Sequence, residues 1–234
     1  MRFVILHKAG LQGEPALLPP VPNGPRITLQ ESAALERGAA GACMRFSNRV
    51  PQRSECRFVN GTAGLAGLSI VEAESRQAVT DWLEASPPRD GDAEFEIRET
   101  GCAGGLPGVD ASSAAALSLP RFLILLKADA DTEAEAPSDA LRLDAMARRN
   151  DEGVKSGLLL AADGLKSSAR GARVRFAGGK TSVLDGPFAE TKELVAGFWL
   201  IQAASLDQAV AWVQRYPYAQ DNPEVEIRPV AAAA

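Results

Sequence analysis

Hydrophobic spacing in the second half of the chain changes period at regular intervals, and each change marks an element. Arg121-Phe122-Leu123-Ile124-Leu125-Leu126-Lys127 is an unbroken apolar run closed by charges, the signature of a strand buried on both faces. The helical pattern over about 138–155 starts at Ser138, a plausible N-cap, and has Gly157 beyond its end. A strand is expected at 157–161. Arg173-Val174-Arg175-Phe176 and Thr181-Ser182-Val183-Leu184 alternate around Ala177-Gly178-Gly179-Lys180, which predicts a hairpin over 172–184. A strand at 194–203 follows. The next helix, 205–215, opens on the capping pattern Ser205-Leu206-Asp207-Gln208 and carries Leu206, Ala209, Val210 and Val213 on one face. A last strand is expected at 224–228.

This order, βαββαβ, is ferredoxin-like, and the first half repeats it. Arg2-Phe3-Val4-Ile5-Leu6-His7-Lys8-Ala9 is replayed by Arg121-Phe122-Leu123-Ile124-Leu125-Leu126-Lys127-Ala128 at a shift of 119. From Gly41/Gly171 to Arg98/Arg228 the shift is a constant 130, through Arg45/Arg175, Phe58/Phe188, Trp82/Trp212 and Glu94/Glu224. A constant offset over such a span indicates a tandem duplication. The first copy is shorter between its first strand and Gly41. That interval contains the proline-rich LQGEPALLPPVPNGP, so the first helix is expected to be missing there. Asn48, which tolerates a left-handed backbone, stands where Gly178 does. Residues 101–120, rich in Gly, Ala, Ser and Pro, read as a linker with a brief helix at Ala114 to Leu117. The expected organisation is a degenerate unit at 1–100, a linker at 101–120 and a complete unit at 121–230.

Several strands are apolar on both faces: Phe3 to Leu6, Leu65 to Val71, Phe122 to Leu126 and Leu194 to Ile201. Two helices cover one face of such a sheet, so the other face needs a different cover. The expectation is an α+β chain of tandem ferredoxin-like units whose sheets pack face to face, in the manner of a dimeric α/β-barrel.

Composition narrows the function. A net charge of −5 without a basic stripe argues against nucleic acid and anionic membrane as partners. No apolar run approaches the ~18 residues of a membrane span, and the N-terminal run is too short for a secretory signal. Cys43, Cys56 and Cys102 make an odd count without C-x-x-C spacing, read as free thiols of a reducing cytoplasm. With His7 the single histidine, no metal site is assembled, and no cofactor signature occurs.

The stretch GLKSSARGARVRFAGGKTSVLDGPFAETKELVAGFWLIQAASLDQAVAWVQRYP, followed by EVEIRPV, closely resembles the YCII-related family in its DGPF-motif branch. The resemblance covers nearly all of residues 121 to 230. It implies small bacterial proteins that form a dimeric α/β-barrel through their sheets, some carrying the domain twice. In YCII-type relatives an enzymatic role has been inferred from a His/Asp pair. The resemblance places that Asp at Asp151 and its His near Leu141 to Asp144, where this chain has none. In the first copy Glu55-Cys56-Arg57-Phe58 replaces the DGPF motif.

Asp185, before Gly186-Pro187, is a candidate for two roles: locking a turn through backbone N–H groups, or serving as acid/base or ligand anchor at the rim of a cavity. Glu190, Lys192 and Glu193 read as an acid/base cluster or as a solvated turn. Lys166, Ser167, Ser168, Arg170 and Arg173 gather cations and hydroxyls suited to a carboxylate or phosphate; the expected substrate-binding set is Lys166, Ser168, Arg173, Phe188, Glu190 and Lys192. Arg45/Arg175 and Arg98/Arg228 recur in both copies, which suggests structural pairing, for example with Glu96 and Glu226. His7 shares a strand face with Phe3 and Ile5, as a satisfied core histidine or as a catalytic group.

The leading functional expectation is small-molecule binding in a cavity between the two sheets, the first copy being mainly structural. The protein would be a monomeric pseudo-dimer or a homodimer of it. One alternative is a lyase or isomerase using Asp185 or Asp151 as base and Lys192 or Arg173 as electrophilic stabiliser. The other is a regulatory module for a protein partner.

Overall fold

The computed structural model describes the chain except residues 9–17, 23–25, 37, 58–63, 89–91, 103–104, 110–118, 190–192 and 233–234. The short helix expected at Ala114 to Leu117 lies outside the described residues, as do Phe58, Glu190 and Lys192.

The first half contributes strands β1 (Arg2–Lys8), β2 (Ile27–Ala34), β3 (Ala40–Ser47), β4 (Val50–Arg57), β5 (Leu65–Ala73) and β6 (Ala93–Glu99), with helix α1 (Arg76–Glu84). The second contributes β7 (Arg121–Lys127), α2 (Ala130–Glu133), α3 (Ala140–Lys155), β8 (Leu159–Gly164), β9 (Ala172–Ala177), β10 (Lys180–Asp185), β11 (Val195–Gln202), α4 (Leu206–Gln214) and β12 (Glu224–Pro229). The expected elements of the second half are thus present within a few residues. Helix α3 starts later than expected because Asp139, rather than Ser138, caps it, accepting from the Arg142 amide at 3.0 Å. The four-residue α2, closed by a capping box between Asp129 and Thr132, was hidden by its shortness.

Two antiparallel six-stranded sheets form, in the orders β10-β9-β6-β1-β5-β2 and β4-β3-β12-β7-β11-β8. Within each, four strands of one half run fourth-first-third-second: β6-β1-β5-β2 and β12-β7-β11-β8. The remaining hairpin comes from the other half. β9–β10 extends the first sheet along β6, and β3–β4 extends the second along β12. The compact units therefore do not follow the 1–100 and 121–230 spans. Unit 1 is Met1–Gly38, Phe58–Thr100 and Ser167–Ala189; unit 2 is Ala39–Arg57, Gly101–Lys166 and Glu190–Ala234. Chain geometry favours the exchange. β8 lies at the edge of its sheet opposite β12, so a hairpin docked beyond β12 in its own half would begin about 19 Å away, four strand spacings. The connection from β8 to β9 includes a 3₁₀ turn at Ser168–Arg170, which shortens its reach.

In unit 1 one sheet face buries Phe3, Ile5, Val71, Phe95 and Val174 beneath Trp82 of α1. Unit 2 has α3 between its first two core strands. In unit 1 the described residues of the corresponding interval contain no helix, and Leu18 and Val21 pack on the core instead. The Trp82 indole donates to Pro20 O at 3.2 Å, pinning the proline-rich segment. In unit 2 the helix-side core gathers Ile124, Leu126, Trp199, Trp212 and Ile227. Residues on the opposite strand faces are buried too: Val4, Leu6 and Ile70 in unit 1, Leu123, Leu125 and Leu200 in unit 2.

Both hairpins turn through left-handed residues, Asn48-Arg49 (φ 50° and 65°) and Gly178-Gly179 (φ 56° and 72°), as the Asn48/Gly178 match predicts. One expectation is corrected. Cys43 and Cys56, read as free thiols, form a disulfide, their Cα atoms 5.6 Å apart. Cys43 is in register with Ser54, so Cys56 lies two residues along the facing strand. That proximity arises only once the hairpin forms, so the sequence separation gave no sign of it. A disulfide is the opposite of what a reducing compartment favours.

Candidate functional site

Three places hold candidate chemistry, and the first, the DGPF corner, was singled out in the sequence. Asp185 ends β10, and its carboxylate accepts from Arg76 Nη1 of α1 at 2.5 Å while remaining 71% exposed. The same guanidinium donates to Gly171 O at 2.9 Å, and the Gly186 amide donates to Gly171 O at 3.1 Å. No other residue type fits at Gly186, because a Cβ there would overlap Ser168 O. Phe188 then turns inward and is buried, its amide donating to Ser168 Oγ at 3.3 Å. The motif closes a corner onto the 168–171 turn.

The second place is a charged cluster in unit 1. Arg173 of β9 is paired in register with Glu96 of β6, and its Nε donates to Glu96 Oε2 at 2.9 Å. Arg98 Nη1 reaches Glu96 Oε1 at 3.2 Å, and Lys8 Nζ lies 3.3 Å from Glu96 Oε2 and 3.2 Å from Glu94. The Arg173 guanidinium lies over the Phe188 ring, 4.0 Å from its centre. Burial alone would push Glu96 up; Lys8, Arg173 and Arg98 outweigh it and hold the carboxyl below its ordinary value. Three cations spent on one buried carboxylate make an internal brace. Of the expected anion-binding set, Ser168 and Arg173 are buried in this corner, while Lys166 belongs to unit 2. The expected Arg98–Glu96 pairing occurs, whereas Arg45 pairs with Glu224, at 2.8 Å, and not with Glu226. His7 lies edge-on to Phe95, 5.7 Å between ring centres, and burial lowers it to about 4, so it is a neutral core residue.

The third place was not singled out from sequence. In unit 2 a cavity of about 100 Å³ lies among the sheet, α3 and the linker. Its apolar wall includes Leu126, Met146, Ala162, Ala196 and Trp199. The linker forms another wall with Cys102, Leu106 and Pro107, strapped to the β8 edge: Val109 and Ala162 exchange backbone bonds of 2.7 and 3.3 Å, and the Gly101 amide donates to Gly164 O at 2.9 Å. Asn150, 6% exposed, reaches the cavity from α3 and accepts from Tyr216 Oη at 2.8 Å. Burial pushes the Tyr216 phenol far above its ordinary range, against hydrogen bonds with Trp199 and Asn150. It is uncharged at any physiological pH. A larger groove of about 560 Å³ borders α3 and residues 214–223, but it is crossed by the exposed Arg142–Asp221 pair at 2.6 Å.

Asp151, the expected acid, lies on the exposed side of α3, one residue from the buried Asn150. At 100° per residue that step decides which side chain faces inward. The spacing Leu143, Met146, Asn150, Val154 carries the inward stripe and was the signal available in the sequence. Among the described residues no group of His, Cys, Asp and Glu suited to a metal occurs, and no helix is long and apolar enough to cross a membrane.

Comparison with known proteins agrees with the second half. An uncharacterized protein of Rhizobium meliloti (strain 1021) is 42% identical over 81 residues, which are 33% of this chain and 64% of that protein. The match thus spans less than two thirds of the relative's length. Residues 121–232 match the family model of the YCII-related domain.

Proposed function

We propose that this chain is a tandem duplication of ferredoxin-like units from the DGPF branch, and that it binds a small molecule in the unit 2 cavity. The strand order shared by the two sheets and the mutual exchange of hairpins support the duplication. The binding reading rests on one observation: an apolar cavity into which a buried amide, Asn150, projects from a helix. Unit 1 then serves mainly as structure, its counterpart charges consumed by the Glu96 brace. Asp185, exposed and paired with Arg76, is read as an anchor of the DGPF corner rather than as a base.

The test is a fragment screen by thermal shift on the whole protein, with Leu106→Trp as a variant that plugs the cavity from the linker side. Saturable binding to the parent that weakens at least tenfold in Leu106→Trp is expected. Equal binding to both, or none to the parent, contradicts the reading.

A further inference from the structure

The cavity's polar groups allow more to be said about its occupant, given that it binds a small molecule at all. None of the described residues lining it is Lys, Arg or His. The titratable side chains there are Asp163, Cys102 and Tyr216, and the Tyr216 phenol is held neutral. An anion would enter with no cationic side chain among the described lining residues to meet it, a costly transfer. The carboxylate or phosphate suggested by Lys166, Ser168 and Arg173 is therefore not the ligand of this cavity.

Hydrogen-bond accounting identifies what is left for a ligand. Asn150 Oδ1 is taken by Tyr216, and among the described residues its Nδ2 has no partner. Gln220, which also lines the cavity, donates through Nε2 to Lys127 O at 3.2 Å and to Asp129 Oδ2 at 2.8 Å. Those two donations fix the orientation of its amide, leaving Oε1 buried without a partner. Gln220 Oε1 is thus closed off from the cavity space, and the site offers one amide donor, that of Asn150, in apolar surroundings. About 100 Å³ is small, since a cavity of ~150 Å³ accommodates benzene.

From this we infer that the unit 2 cavity takes an uncharged, mostly apolar molecule about the size of a single ring, carrying one hydrogen-bond acceptor for Asn150. The inference depends on the binding role proposed above, and its test separates the two. Benzamide and benzoate share a shape and differ in charge, while toluene has the ring alone. Tryptophan emission and thermal shift on the whole protein report binding, since Trp199 forms part of the wall.

Benzamide is expected to bind saturably and benzoate at least tenfold more weakly at pH 7. Asn150→Leu should weaken benzamide about tenfold, the loss of one hydrogen bond, and leave toluene unchanged. Tyr216→Phe, which keeps the ring and removes the hydroxyl, guards against a folding defect in the first variant and should weaken benzamide selectively as well. Benzoate binding as well as benzamide, or variants that weaken toluene and benzamide alike, would overturn the ligand class while leaving a binding site in place. Failure of all three probes on folded protein would remove the binding role and the ligand class together.

Discussion

The two units carry the same strand order but differ at matching positions. In unit 1 the last core strand presents Glu96 to Arg173 and Lys8. In unit 2 the equivalent Glu226 faces Lys127 at 2.6 Å, but Arg173 is replaced by Cys43, which is in register with Glu226 and bonded to Cys56. On the helix side the contrast runs the other way. Unit 2 has α3, and its described residues enclose a cavity containing Asn150. Unit 1 has Leu18 and Val21 on its core, with buried His7 where the sequence repeat places Leu126. One strand order thus holds both a braced interior and a hollow one; local side chains, not the backbone path, decide which.

The comparison breaks most readily at Phe188. Phe188→Ala empties a buried ring site against Arg173 and should cost about 4 kcal/mol in urea unfolding. The substitution should remove cooperativity from unit 1 while the unit 2 tryptophan signal persists. Nearly as large is the difference between matched carboxylates. Glu96→Gln leaves Arg173, Arg98 and Lys8 short of their partner and should cost about 3 kcal/mol, whereas Glu226→Gln, at a partly exposed pair with Lys127, should cost about 1 kcal/mol. Equal losses would mean that the brace is no stronger than the simple pair.

An effect of similar size, set by pH, comes from His7. It binds its proton less readily folded than unfolded, from 6.5 down to about 4. Stability is therefore fully present above pH 6.5 and falls as pH drops towards 4, by about 3 kcal/mol at the limit. His7→Leu, which introduces the residue of the other half, should remove that decline. The decline due to Glu96 should remain, because a carboxyl held low loses its contribution only as pH falls through and below its ordinary range. A pH–stability curve unchanged above pH 4.5 in His7→Leu would contradict a buried neutral histidine. Smallest of all, Asp185→Ala removes an exposed ion pair and should cost under about 1 kcal/mol. A loss of several kcal/mol would give the corner a larger role than its exposure allows.

Much of this could be read from the residues. Apolar runs and turn residues located the strands of the second half, the helices α3 and α4 and the apolar strands β1 and β5, and Asn48 against Gly178 placed the paired turns. Hairpin exchange could not be read, because matching residues in the two halves make the alternatives equivalent: Arg175 in register with Glu94 and Arg45 paired with Glu224 satisfy the same charge pattern as pairing within each half. The exchange is settled by strand positions, which no single segment encodes. The cavity escaped for a similar reason. Attention went to Asp151 and the DGPF charges, while Asn150 looked like one polar residue in a helix, and Tyr216 and Gln220 meet it only in three dimensions. The Cys43–Cys56 bond likewise needs the hairpin before the two residues are neighbours.

The central claim is that unit 2 binds and unit 1 supports. Labelling with 5-fluorotryptophan tests it directly, since Trp82 lies in unit 1 while Trp199 and Trp212 lie in unit 2. Titration with benzamide, followed by fluorine NMR, should shift the Trp199 resonance most and leave Trp82 in place. A shift at Trp82 with Trp199 unmoved would contradict the account.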